Sequence, residues 1–456
     1  MNDFITKMWA AVGSVDEEMP AINFTGQGTL DSVYNVNEFA CAAIGTAAAA
    51  IAELIGSESA TPEIVIDRRL AAFWFAWSLR PIGWTLPSAW DPIAGDYAST
   101  DGWIRLHTNA PHHRQAAEKI LGASGDRNAI AKAVAKWAKE DLERAVIEAG
   151  GCAAEMRTCT EWKNHPQGIA VAAEPLVHIN ELNRSASTTN TFRSPKRSRP
   201  LNGIRVLDLT RVLAGPIATR FLAGFGADVL RIDPPGWDEP GVVPEVTVGK
   251  RCAVLDLRDT EARGRFETLL SNADVLIHGY RPGALEALGY GAGQRRAIAP
   301  QLIDVCLSAY GWTGPWAERR GFDSLVQMST GIADAGLHWR DADKPIPLPV
   351  QALDHASGYL MAAAAIRAIT NRQKTGVLTE AKLSLAKTAE LLIASMEIKA
   401  PRPQQFLEES PEDISAVIER TFWGQAQRLK PPLIVQGCPW EWSCPAGRLG
   451  DAEPKW

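Results

Sequence analysis

The run Leu348-Pro349-Val350-Gln351-Ala352-Leu353-Asp354-His355-Ala356-Ser357-Gly358 has the residue types for acyl chemistry. Asp354 follows a Pro-broken loop, precedes the Ala-rich helical stretch Met361 to Ala365, and stands in D-x-x-x-G spacing with Gly358. A carboxylate at a helix N-terminus is favoured by the helix dipole and by backbone N–H groups without helical partners. Those donors could also steady an oxyanion formed when the carboxylate attacks an acyl carbon. Aspartate is equally a preferred helix cap, so a purely structural role stands beside the nucleophilic one. His355 is a sequence neighbour that does not share a helix face with Asp354, which favours a bland role for it.

The elements that must position Asp354 begin near residue 201. Ile204 to Leu209 and Asp228 to Asp233 read as β-strands, with a helix over Ala214–Phe225 between them. Further strands are expected at Cys252–Leu257, Asp274–His278 and Leu302–Ser308, with helices at Thr260–Ser271 and Gly283–Leu288. This alternation predicts an α/β fold: a doubly wound, Rossmann-like parallel sheet. Ligands of such sheets bind at the carboxyl ends of the strands, here Thr210–Leu213, Asp233 and Gly279–Gly283. The first turn, Leu209 to Pro216, lacks G-x-G-x-x-G, which argues against a dinucleotide-dependent dehydrogenase.

The first half reads as a smaller α+β module. A buried helix is expected near Asn37–Ile55, a strand or helix at Ile64–Trp74, a hairpin at Asp101-Gly102, and helices at His113–Leu121, Ala129–Ala138 and Lys139–Ala149. Phe39 to Ala52 is too short an apolar stretch for a membrane span. The boundaries follow as 1–182 for this module, 183–200 for a linker, 201–400 for the sheet domain and 401–456 for a packed tail. The linker carries Arg184, Arg193, Lys196, Arg197 and Arg199 with no acid and no apolar period.

A chain of 456 residues with 46% hydrophobic and 22% charged residues can bury sizeable cores. A net charge of −6 argues against a dedicated nucleic-acid binder. Seven scattered cysteines without a CxxC pair suggest neither zinc nor a disulfide framework, and no metal is expected. No basic leader precedes Phe4, so a cytoplasmic location is expected. The tryptophans near the C-terminus (Trp423, Trp440, Trp442, Trp456) are read as packing.

From Leu201 onward the chain resembles the class III CoA-transferase family. The matching pieces are LNGIRVLDL (201–209), Ala214-Gly215-Pro216, GADVLRI (226–232), Gly249-Lys250-Arg251, Arg281-Pro282-Gly283, Gly314-Pro315, Gly321-Phe322-Asp323, and Asp354 with Gly358. The resemblance implies that Asp354 is the nucleophile and that Arg211, Val212, Leu213, Ala214, Lys250 and Arg281 contact CoA. It implies CoA exchange between an acyl-CoA and a carboxylic acid, no cofactor beyond CoA as substrate, and a homodimer. Leu353, Tyr359 and Met361 are candidates for a water-excluding lining, and Asp323 is read as structural.

The first half looks like the family's smaller domain, through Trp90-Asp91-Pro92, Gly95-Asp96-Tyr97, Glu161-Trp162 and His165-Pro166-Gln167-Gly168. It precedes the aspartate, whereas the family's usual order is the reverse. AAAAI recurs at 47–51 and 362–366, an offset of 315 that also aligns Leu70-Ala71 with Leu385-Ala386 and sets Phe39 opposite Asp354. The chain therefore reads as permuted, or as two family copies of which the first lacks its nucleotide-fold part. An acyl-CoA racemase of the same fold is the alternative, weakened because Phe322 supplies no base where such relatives carry a histidine. A non-catalytic acyl-CoA binder is the other.

Overall fold

The structure, a computed structural model, describes residues 2–13, 18–28, 30–56, 60–182, 196–396 and 408–456. In the first half α1 (Asn2–Ala11) precedes β1 (Ile22–Thr25), α2 (Val36–Gly56), β2 (Ile64–Asp67) and α3 (Arg68–Trp74). The stretch 64–74 is thus both strand and helix. The switch occurs at Asp67, whose carboxylate accepts from the N–H groups of Arg69 and Leu70 and caps α3. After β3 (Leu79–Pro81), β4 (Gly95–Ala98) and β5 (Trp103–Leu106) form the hairpin expected at Asp101-Gly102. Helices α4 (Pro111–Leu121), α5 (Arg127–Val134) and α6 (Lys139–Glu148) follow. Then come β6 (Ala153–Glu155), α7 (Cys159–Asn164), α8 (Pro166–Ala173) and β7 (Val177–Leu182).

The second half alternates as its sequence pattern requires. β8 (Arg205–Leu209), α9 (Ala214–Gly224), β9 (Asp228–Asp233), α10 (Val243–Val246), β10 (Lys250–Val254), α11 (Thr260–Ser271) and β11 (Val275–His278) lead into α12 (Ala284–Ala287), α13 (Ala292–Ile298) and β12 (Ile303–Ser308). α14 (Asp323–Ser329), α15 (Ile332–Arg340), α16 (Ala352–Thr375), β13 (Leu378–Ser384) and α17 (Leu385–Ile393) complete it. The strand expected at 252–257 runs from 250 to 254 instead. Asp256 and Asp259 turn the chain there, and Asp259 caps α11 through the N–H of Ala262.

The fold is mixed α/β. Its seven-stranded sheet has the order β10-β9-β8-β11-β12-β13-β7, parallel except for β7. Strand order reverses between β8 and β11, which opens a crevice at their carboxyl ends. First-half residues enter this sheet through β7. Beyond residue 408, β14 (Glu419–Thr421) pairs with β15 (Gly424–Arg428), which pairs in turn with β3. β16 (Leu433–Val435) joins β1 and β2. Residues 183–195 of the basic segment expected to be a linker lie outside the described residues.

At the centre α2 and α16 lie side by side, with α9 against α16. α2 is long and apolar enough to cross a bilayer, but 89% of its most apolar window is buried within the protein. A buried ion cluster locks the halves together: Glu245 accepts from Ser78 Oγ at 2.7 Å and the Leu79 N–H at 2.9 Å, and pairs with Arg220 and Arg428. Trp440 and Trp442 pack on Trp74 with ring centroids 4.9 and 6.2 Å away, so these C-terminal tryptophans serve packing.

Candidate active site

A cavity of about 360 Å³ sits at the strand-order reversal. Leu209–Gly215 after β8, Gly279–Arg281 after β11 and Leu307–Ala309 at the end of β12 form its sheet side. Asp354 lines it together with Trp237, Arg319–Phe322 and Leu385, and α4 of the first half contributes His112 and His113.

Asp354 lies in the first turn of α16, which begins at Ala352 rather than near the Ala-rich stretch, so that stretch is the helix's middle. Asp354 does not cap the helix. Asp323 does: its Oδ2 accepts from the backbone N–H of both Leu353 and Asp354, each at 2.9 Å. Gln327 donates to the other oxygen of Asp323 and accepts from the Leu348 N–H at 2.7 Å, which fixes the loop entering α16. Asp323, read as structural, is therefore a positioning residue. These bonds also consume the N–H groups expected to steady an oxyanion. The Asp354 carboxylate itself has no hydrogen bond or ion pair among the described residues.

Burial raises the pKa of Asp354 well above the ordinary 3.8, and the neighbouring Asp323 carboxylate raises it further. Burial also pushes Asp323 up, to about 6, against the stabilising bonds it accepts. A carboxylate made more basic by its surroundings is a stronger nucleophile once ionised.

The D-x-x-x-G spacing has a steric cause. A Cβ at Gly358 would stand 2.4 Å from the Ala214 carbonyl oxygen, so only glycine lets α16 approach the start of α9. That contact brings Asp354 beside the loop Arg211–Ala214. Within this loop Val212 adopts φ 62°, a strained conformation for a β-branched residue, and its N–H donates to Glu239 at 2.9 Å. Glu239 is held in turn by the buried Arg231. The Arg211 guanidinium lies over Trp237 (4.4 Å) and Tyr280 (5.2 Å) and donates to the Tyr280 hydroxyl at 2.9 Å.

Of the residues expected at CoA, Arg211, Val212, Leu213, Ala214 and Arg281 line the cavity and Lys250 does not. The Lys250 side chain is fully buried, 3.2 Å from Asp208 Oδ2 and 2.9 Å from the Pro216 carbonyl. It neutralises a carboxylate that also accepts from Thr210 and Thr219, so it cannot reach a phosphate. Leu353, Tyr359 and Met361, expected in the lining, are packed into the core with 0% exposure. The apolar wall is made by Leu213, Leu307, Phe322 and Leu385. His355 stacks on Phe75 (5.0 Å), and burial holds its pKa down to about 3, so it takes no part in the cavity.

Among the lining residues whose place the sequence did not reveal are His112, His113, Trp237, Arg319 and Arg320. Two signals were present: Pro111 opening a helix ahead of paired histidines, and an Arg-Arg pair directly before Gly321-Phe322-Asp323. The His165-Pro166-Gln167-Gly168 motif orients this second segment. Gln167 donates to the carbonyls of Tyr310 (2.7 Å) and Thr313 (2.8 Å) and accepts from the Trp316 N–H. Phe322 stacks on His107 at 3.7 Å.

The family model of CoA-transferase family III matches residues 201–423. This part of the chain is similar to that family. Among curated relatives, a probable fatty acyl-CoA transferase Rv3272 of Mycobacterium tuberculosis is 35% identical over 194 residues, 40% of this chain and 49% of that protein. The human succinyl-CoA:glutarate CoA-transferase is 31% identical over 191 residues, 39% and 43% of the two chains. An acetyl-CoA:oxalate CoA-transferase of Acetobacter aceti is 36% identical over 157 residues, 32% and 40%. The chain spans about half the length of the first of these and less of the other two. A crystal structure of Rv3272 matches with a TM-score of 0.40 and 30% identity, covering 47% of this chain and 62% of that one. The matched segment 201–423 contains the sheet side of the cavity and Asp354.

Proposed function

We propose that the protein transfers CoA between an acyl-CoA and a carboxylic acid, with Asp354 as nucleophile. The observation that carries this is a buried carboxylate, made more basic by its surroundings and unbonded among the described residues, in an arginine-lined cavity at the strand-order reversal.

An Asp354 oxygen attacks the thioester carbonyl carbon, the C–S bond breaks, and CoA thiolate leaves an acyl–aspartyl anhydride. The thiolate then attacks the Asp354 carboxyl carbon, which releases the donor acid and leaves an aspartyl–CoA thioester. An acceptor carboxylate attacks the same carbon, expelling the thiolate and forming a new anhydride. The thiolate finally attacks the acceptor's acyl carbon, giving the new acyl-CoA and free Asp354. Each step exchanges one acyl bond for another of similar energy, so water must be kept out. Arg211 and Arg281 are suited to CoA phosphates, with the strained Arg211–Ala214 backbone beside them. The cavity walls described here all come from one chain; pairing into a homodimer is a further part of the proposal.

Incubation with acyl-CoA and hydroxylamine tests the reading. A hydroxamate on Asp354, lost in Asp354→Asn while CoA binding persists, is the expected result. α-Proton exchange of an acyl-CoA without any CoA exchange would favour the racemase instead.

A further inference from the structure

The cavity is lined by four arginines, Arg211, Arg281, Arg319 and Arg320, against a single carboxylate, Asp354. Arg319 is already committed: it pairs with Glu143 and donates to the Ala153 carbonyl, both at 2.9 Å. Arg211 and Arg281 lie on the sheet side, at the ends of β8 and β11, where CoA phosphates are placed above. Arg320 enters from elsewhere. It sits three residues before Asp323, on the segment whose far end holds the backbone of Asp354, and α4 carries His112 and His113 to the same wall.

Arg320 is exposed, and among the described residues its one hydrogen bond is a 3.3 Å contact to the Gly150 carbonyl. Its charge holds down the pKa of both His112 and His113, second to burial for His112. A wall built of a guanidinium and two imidazoles offers donors to an anion and little to an alkyl chain.

Resting on the transfer reading above, we propose that the exchanged acid carries a second carboxylate, bound by Arg320 with His112 beside it, so that the substrates are dicarboxylic acids and their mono-CoA thioesters. One carboxyl then reacts at Asp354 while the other is held on the α4 side. A CoA phosphate is the other anion Arg320 could hold, and the two are separable because all acyl-CoAs share the phosphates.

Self-exchange of labelled acid into its own CoA thioester tests this without knowledge of the partner acid. Succinate with succinyl-CoA is compared with the four-carbon butyrate and butyryl-CoA. The wild type is expected to favour succinate in kcat/KM by about tenfold or more, the usual scale for losing one charge-assisted pair. Arg320→Gln should collapse that ratio about tenfold, chiefly through the KM for succinate, and Arg320→Lys should restore part of it. Equal wild-type use of the two acids overturns the proposal. So does a ratio unchanged in Arg320→Gln with both acyl-CoA KM values raised alike, which assigns Arg320 to a CoA phosphate. Exchange of neither acid by the wild type defeats the transfer reading and this proposal with it; monocarboxylate exchange alone defeats only the proposal.

Discussion

Two Ala-rich helices lie against each other at the centre of this protein, and α16 brings a carboxylate to the cavity at the strand-order reversal. α2 leads into β2 and α3, as α16 leads into β13 and α17, and β1 runs parallel to β2 as β12 does to β13. Their first turns differ. Where α16 has Asp354, α2 has Phe39, fully buried and edge-on to Phe4 of α1 at 5.2 Å. Where α16 has Gly358 against the start of α9, α2 has Ala43. α1 plugs the end of one helix, while Asp323 and Gln327 hold open the end of the other. An apolar helix thus makes core in both places, and chemistry follows from what is packed on its first turn.

The comparison breaks most visibly at its two defining positions. Asp354→Ala should reduce CoA exchange by at least about 10³-fold with CoA binding retained; substantial turnover would show that the two helices are alike in doing no chemistry. Phe39→Asp buries a carboxylate with no partner and should cost roughly 3–5 kcal/mol of stability. Because burial favours the neutral acid, that loss should grow as pH rises, measured by denaturant unfolding at acid and neutral pH.

The glycine–alanine difference sharpens the contrast at smaller scale. Gly358→Ala forces α16 away from the Ala214 carbonyl and should cost about 1–3 kcal/mol, with a fall in kcat as Asp354 shifts from the Arg211 loop. Ala43→Gly should cost about 1 kcal/mol by helix propensity and leave kcat/KM in place. Similar kinetic effects from both would remove the significance of the α9 contact.

The smallest effect concerns pH. Asp323 contributes to the raised pKa of Asp354, so Asp323→Asn should move the acid limb of kcat/KM to lower pH; an unmoved limb would leave burial as the whole cause. In the wild type the folded protein keeps a proton on Asp323 that the unfolded chain releases. Stability should therefore fall as pH rises from the ordinary 3.8 toward about 6, and Asp323→Asn should flatten that slope.

Much of the site was legible because it depends on short-range chemistry. The strands after residue 201, the crevice loops Arg211–Ala214 and Gly279–Arg281, and the Asp354–Gly358 spacing all follow from residues close in sequence. Asp323 was legible as a position but not as a role, since its partners are the N–H groups of Leu353 and Asp354, thirty residues on. Tyr359 and Met361 were misplaced because a helix buried on all sides has no periodicity to say which face meets the cavity.

The sequence by itself determined the alternation of strands and helices, the loops at the carboxyl ends of the strands, and the aspartate with its obligatory glycine. Local propensity and helix geometry suffice for those. Only the tertiary structure decided that Lys250 spends its charge on Asp208, 42 residues earlier, and that Arg320 and the α4 histidines line the same cavity as Asp354. The physical reason is that a lysine and an arginine carry the same charge in any sequence. Whether that charge meets a buried carboxylate or an open cavity is settled by elements distant in the chain.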